Sequence, residues 1–159
     1  MNKLFPNYKQ SDSKDCGPTC LKIIAKHYGK ILNIQTLRKL SETTREGTNL
    51  LTLSDAAEQI GFRSLGVKLN SIKLKEAPLP CVLDWNKEHF VVLYKIKKDV
   101  YYISDPAHGI IEYSKNEFLK FWIGNNANET LEEGIALLLE PTPIFRQYQG
   151  NTRDRKSVV

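Results

Sequence analysis

Apolar residues recur with one period up to Gly61 and with another after it, and this change restricts the fold more than any other feature. Before Gly61, Leu21, Ile24, Ala25 and Tyr28 fall three or four residues apart, on one face of a helix predicted over 17–28. Pro18 suits its first turn, where the missing N–H has no partner to lose, and Gly29 suits its end. A short helix over 34–41 and a third over roughly 50–60, stopped by Gly61, complete this half. After Gly61 the runs FRSLGVKL (62–69), PLPCVLDW (78–85), EHFVVLYKI (88–96), VYYIS (100–104) and GIALLLE (134–140) read as strands, and KKD turns the third into the fourth. SKNEFLKFW (114–122) interrupts them as a helix, because Ser114 and Glu117 have capping-box spacing. Helices followed by strands predict an α+β domain, with N-terminal helices packed on a mostly antiparallel sheet. A chain of 159 residues holds one core, expected over 1–140. Residues 141–159 read as a polar, irregular linker or tail.

Charge and cysteine usage exclude several classes. No run approaches the ~18 apolar residues of a membrane helix, and MNKLFPNYKQ lacks a signal peptide's apolar stretch. The expected location is therefore cytosolic. The net charge of +5 is spread out, with small clusters at 95–99 and 153–156 and no aromatic-and-basic motif beside them. That describes a solvated face better than a nucleic-acid site, so no nucleic acid is expected as a partner. Three cysteines do not make a disulfide framework. Cys16 and Cys20 are four apart and Cys81 stands alone, so neither a metal nor a cofactor is expected.

The stretch QSDSKDCGPTC, residues 10–20, points to nucleophilic chemistry. Cys16 falls at or just before the start of the first helix, where free N–H groups and the helix dipole favour a thiolate. Cys20, one turn on, reads as an inert core residue, and so does Cys81 within an apolar strand. A thiol nucleophile needs a base. His27 is three turns down the helix, about 16 Å from Cys16 at 1.5 Å per residue, and cannot reach it. His108 sits in the turn DPAHG and reads as a solvated loop residue. His89 opens a strand, and Asp105 ends that strand's hairpin partner, so both lie at the same end of the hairpin. The simple register pairs 89 with about 108, so Asp105 would have to curl back about 10 Å to meet His89. Gln10, on the loop before Cys16, is placed to offer an amide N–H to an oxyanion. Asp15 is expected to cap the first helix.

Gln10, then DCGPTCL (15–21), HFVVL (89–93) and DPAHG (105–109), in that order, resemble the papain-like cysteine peptidases. They are most similar to the double-glycine leader peptidases that form the N-terminal domains of peptidase-containing ABC transporters. The resemblance spans roughly 5–140. It implies a papain-like fold, with Cys16 as nucleophile, His89 as base and acid, Asp105 as orienter and Gln10 as oxyanion donor. It also implies cleavage of bacteriocin-like precursor peptides after Gly-Gly or Gly-Ala, with the leader docking as an amphipathic helix. The implied partners are the precursor and the transmembrane and ATP-binding parts of an exporter, on the cytoplasmic side of a bacterial membrane. Trp85 and residues 86–88 are the expected neighbourhood of the narrow groove. Two further functions fit the same residues. One is a leader-binding module without catalysis, which would lack the nucleophile. The other is a thiol acyltransferase on the same scaffold, differing only in the acceptor.

Overall fold

The computed structural model describes residues 4–42, 47–125 and 131–149. Three helices precede the first strand: α1 (Cys16–His27), α2 (Ile34–Leu40) and α3 (Leu50–Gln59). Asn33 caps α2 by accepting from the Gln35 and Thr36 N–H groups, and Asn49 caps α3 by accepting from Thr52 N–H. The start of α1 is built differently. A 3-10 turn, Ser13–Asp15, runs straight into it, and Asp12 caps that turn through Lys14 N–H.

Asp15 does not cap α1, contrary to expectation. Its carboxylate, 2% exposed, takes a two-pronged bond from Arg38 of α2, Nε to Oδ1 at 2.9 Å and Nη2 to Oδ2 at 2.5 Å. The planar guanidinium matches both oxygens at once, so the residue before Cys16 is tied to a neighbouring helix instead of to its own. Arg38→Ala strands that carboxylate and is expected to lower unfolding stability by about 2 kcal/mol, measured by urea titration. An unchanged midpoint would mean that water replaces the guanidinium without loss.

The strands are β1 (Phe62–Leu69), β2 (Cys81–Trp85), β3 (His89–Lys97), β4 (Val100–Asp105), β5 (Gly109–Ser114) and β6 (Gly134–Pro141). They form one antiparallel sheet in the order β1-β6-β2-β3-β4-β5. Pro78 and Pro80 lack the N–H a ladder needs, so β2 begins at Cys81 and not at 78. The helix over 115–122 is α5, and its capping box is present as expected. Alternation along the strands sends side chains to two cores. Val82, Phe90, Val92, Leu137 and Leu139 meet α1, α2 and α3. Cys81, Leu83, Trp85, Val91 and Leu93 meet Phe118, Leu119 and Trp122 of α5.

Two short helices and one strand escape the sequence reading. The four-residue helix α4 (Ser71–Leu74), capped by Asn70, is too short to show a period. The strand β5 lies at the sheet edge and alternates only between half-buried and exposed positions, with no buried residue and Ile110 46% exposed. The helix α6 (Pro143–Gln147) corrects the expected irregular tail over 141–149. Its Phe145 is 2% exposed and belongs to the core of α1–α3. Residues 150–159 lie outside the described residues.

Candidate active site

Cys16 is the first residue of α1 and is 6% exposed. The 3-10 turn before it and the Arg38 clamp on Asp15 hold the backbone from which it projects. His89 is the first residue of β3, with Trp85 directly opposite on β2. Its Nε2 lies 2.7 Å from Asp105 Oδ1. The Cys16 side chain lies close enough to the same ring to help raise its pKa. Thiol, imidazole and carboxylate are therefore brought together, with the ring bonded to the carboxylate and the thiol acting on the same ring.

Asp105 reaches His89 because of a bulge. From the hairpin turn inward the register is Lys97↔Val100, Ile96↔Tyr101 and Lys95↔Tyr102, which is the register expected from sequence. At Tyr94 the pairing slips by one, to Leu93↔Ile103 and Val92↔Ser104. Continued, it sets Asp105 opposite Val91, which shares its face of β3 with His89. Without the slip Asp105 would face Val92 and point to the other side of the sheet. The slip also shortens the offset between Asp105 and the position opposite His89 from three residues to two.

The N-terminal segment is laced to the end of β4. Asn7 Nδ2 donates to Ser104 Oγ at 2.9 Å and to Asp105 O at 3.2 Å. Ser104 Oγ donates to Pro6 O at 2.8 Å. Gln10 N–H donates to Pro106 O at 2.9 Å, which brings Gln10 beside the turn that follows Asp105. The Gln10 side-chain oxygen is buried and makes no hydrogen bond within the described residues. Asn7 and Ser104 carry no motif that would have revealed them.

The remaining candidates separate cleanly. His27 lies at the far end of α1, its ring 5.1 Å from that of Phe5. Cys20 and Cys81 are fully buried, and burial pushes Cys20 well above the ordinary thiol range and Cys81 to about 12. Both are inert core residues. His108 is not simply solvated: its Nδ1 lies 3.1 Å from Asp105 Oδ2. Trp85 is 4% exposed and packs against Tyr113, Phe118 and Phe121, so it offers no surface to a peptide. Asn86 and Lys87 instead line an open pocket of about 440 Å³ shared with Phe121 and Ile123. Among the described residues no cluster of His, Cys, Asp and Glu has the makings of a metal site, and no helix is long and apolar enough to cross a membrane.

Electrostatics favour a charged imidazole. Burial alone lowers the His89 pKa, but hydrogen bonds to Asp105 and Cys16, with their charges, outweigh it and raise it from 6.5 to about 9. Burial likewise opposes the Asp105 carboxylate, but His89, the Ala107 N–H and His108 together hold it below the ordinary carboxylate range. A pKa raised by folding stabilises fully below the unfolded value. The His89 contribution is thus complete below about 6.5 and is lost as pH rises through about 9. That of Asp105 is present above its ordinary 3.8 and is lost as pH falls below it. Urea titrations between pH 6.5 and 9.5 should show stability falling from about 6.5 and levelling off above about 9, and His89→Ala should remove the fall. A wild-type stability independent of pH there would contradict the pairing.

Comparison with known proteins gives the geometry a context. The family model described as Peptidase C39 matches residues 5–127. The lactococcin-G-processing and transport ATP-binding protein of Lactococcus lactis subsp. lactis is 39% identical over 72% of this chain and 17% of its own length. The colicin V secretion/processing ATP-binding protein of Escherichia coli is 33% identical over 83% of this chain and 20% of its own. This chain thus spans about a fifth of those relatives. A double glycine motif protease from an AMS/PCAT transporter, crystallised with the leader peptide, matches with a TM-score of 0.77 and 30% identity, over 86% of this chain and 91% of that one. The peptidase domain of Streptococcus ComA, a bi-functional ABC transporter, matches with a TM-score of 0.76 and 28% identity, over 87% and 100%.

Proposed function

Since this chain belongs to the peptidase C39 family, we propose that it is a cysteine endopeptidase that removes the leader of a precursor peptide by cutting after Gly-Gly or Gly-Ala. The observation that carries this reading is the His89–Asp105 hydrogen bond, with the Cys16 side chain, at the start of a helix, acting on the same ring. The named substrates and partners of the relatives support the rest: export-linked peptides, a leader, and a transporter that carries the domain.

In this reading the Cys16 thiolate attacks the carbonyl carbon of the last leader residue. The negative charge moves to the carbonyl oxygen, where the Gln10 amide donates to it. The tetrahedral intermediate collapses, the peptide C–N bond breaks, and His89 gives its Nδ1 proton to the departing amine. The mature peptide leaves with a free N-terminus, and the leader stays on Cys16 as a thioester. Water, deprotonated by His89, then attacks the thioester, releasing a leader carboxylate and regenerating the thiolate–imidazolium pair. Asp105 holds the ring throughout by its bond to Nε2. No step needs a metal or a cofactor. The domain works on the cytoplasmic side of the membrane, where a precursor would meet an exporter formed by transmembrane and ATP-binding segments. The inhibitory limb near pH 9 follows from the same proton, because the leaving amine needs the imidazolium. Cleavage is expected to fall above that pH while alkylation of Cys16, which needs only the thiolate, does not.

The test is a synthetic peptide with an amphipathic helical leader ending in Gly-Gly, incubated with the protein and resolved by mass spectrometry. One cut after the second glycine is expected, and none when that residue is leucine. An uncut Gly-Gly peptide, or cutting indifferent to the leucine, would overturn the proposal.

A further inference from the structure

The Asp105 carboxylate serves two imidazoles, and only one belongs to the proposed triad. Oδ1 accepts from His89 Nε2 at 2.7 Å and from the Ala107 N–H at 2.8 Å. Oδ2 lies 3.1 Å from His108 Nδ1. Asp105 itself is 1% exposed, whereas the His108 side chain is 70% exposed. The second ring therefore sits on the solvent side of a carboxylate that is otherwise sealed. An ionised carboxylate only accepts, so His108 Nδ1 carries the hydrogen of this bond.

From this geometry we propose that His108 is a positioning residue for the reaction: it pins Oδ2 and keeps water from it, so that Asp105 presents Oδ1 squarely to His89. The inference rests on the reading of Cys16, His89 and Asp105 as a triad. A carboxylate turns readily about its last torsion, which has only broad preferences. With donors on Oδ1 alone, that torsion is set from one side. A third donor on Oδ2 sets it from the other.

The backbone prepares His108 for this place. Its N–H bonds back to Asp105 O at 3.3 Å, and Asp105 pairs with Gly109 across the turn from β4 to β5. Gly109 has φ +92, which closes the turn at no steric cost. Gln10 N–H braces the same turn from outside through Pro106 O. Residue 108 thus returns over the carboxylate because the turn is closed.

The charge around Asp105 agrees with this arrangement. The titratable groups acting on it or feeling it, among the described residues, are His89 from β3, Cys20 from α1, Tyr113 from β5 and His108. Cys20 and Tyr113 are both pushed up, Cys20 by burial and Tyr113 by burial and by Asp105 itself, and so remain neutral near pH 7. The two imidazoles are the groups in that set able to carry a proton to the carboxylate. Removing His108 opens Oδ2 to water, which screens the carboxylate and loosens its hold on His89.

The experiment compares wild type, His108→Ala and His108→Asn by NMR titration of His89 and by cleavage kinetics. In His108→Ala the His89 midpoint is expected to fall by about one unit or more toward its ordinary value. The kcat should drop on the order of tenfold, the size of one hydrogen bond to a charged group, with KM unchanged. The Asn amide nitrogen occupies the place of Nδ1 and should restore both. A His89 midpoint that does not move in His108→Ala overturns the proposal, even if kcat falls. So does a change in KM alone, which would assign His108 to peptide binding. If wild type does not cut the Gly-Gly peptide, the proposed function fails, and the His89 titration still decides the role of His108.

Discussion

Cys16→Ala should abolish cleavage, with the rate falling at least about 10⁴-fold, because members of such a triad act as a unit. The fold should survive. Cys16 loses only its sulfur, from a side chain that packs at the edge of the core of α1–α3. The substitution also removes a partner that helps raise the His89 pKa. The His89 midpoint should therefore fall in this variant as well, though Asp105 remains in place. Cys20→Ala and Cys81→Ala provide the contrast. Each leaves a cavity in a fully buried place and should lower stability, but cleavage per folded molecule should stay within a few-fold of wild type. Liquid chromatography of the peptide products measures the first effect, and urea titration separates it from unfolding. Cleavage persisting in Cys16→Ala would remove the nucleophile from the proposed mechanism.

Phe145→Ala should cost about 3–5 kcal/mol of stability, a large part of what a domain of this size has. The ring lies 4.6 Å from Phe62 and 6.5 Å from Tyr28, closing the core at the end of α1. The segment that carries it is bound at several points. Thr142 N–H and Oγ1 both donate to Gly61 O, at 3.0 and 2.6 Å. Lys30 Nζ donates to Arg146 O at 3.0 Å and to Tyr148 O at 2.6 Å. A Cβ on Gly61 would stand 2.2 Å from Phe145 N, and Gly61 has φ +108, so this residue both ends α3 and admits α6. Ending the chain at residue 140 should be at least as damaging as Phe145→Ala. A loss under about 1 kcal/mol in either case would show that the core is complete by residue 140.

The sequence was most legible where a residue's role is settled by its near neighbours. The capping box at Ser114 and Glu117 and the stops at Gly29 and Gly61 appear where the sequence puts them, because caps act within one turn. Strand β5 escapes the sequence because an edge strand buries no residue fully and puts the apolar Ile110 on its exposed face, so apolar residues do not mark its inner face. Helix α6 was missed for a different reason. Its five residues bury one side chain, so composition suggests a tail while Phe145 completes a core more than eighty residues away from Phe62 in sequence. Asp15 looked like a cap because caps are local, and its true partner Arg38 lies on another helix.

By itself the sequence determined that Cys16 lies at or just before a helix start, that His89 begins a strand and that Asp105 ends the next one, since period, prolines, glycines and caps are all read within a few residues. Tertiary structure decided whether those three could meet. The one-residue slip at Tyr94 puts Asp105 on the face of His89, and no local signal marks it, because register depends on which face each strand buries. The lacing of Asn7 and Gln10 to Ser104, Asp105 and Pro106, and the return of His108 over the same carboxylate, belong to that same level. Local chemistry chose the reacting groups, and packing between distant segments set the few ångströms between them.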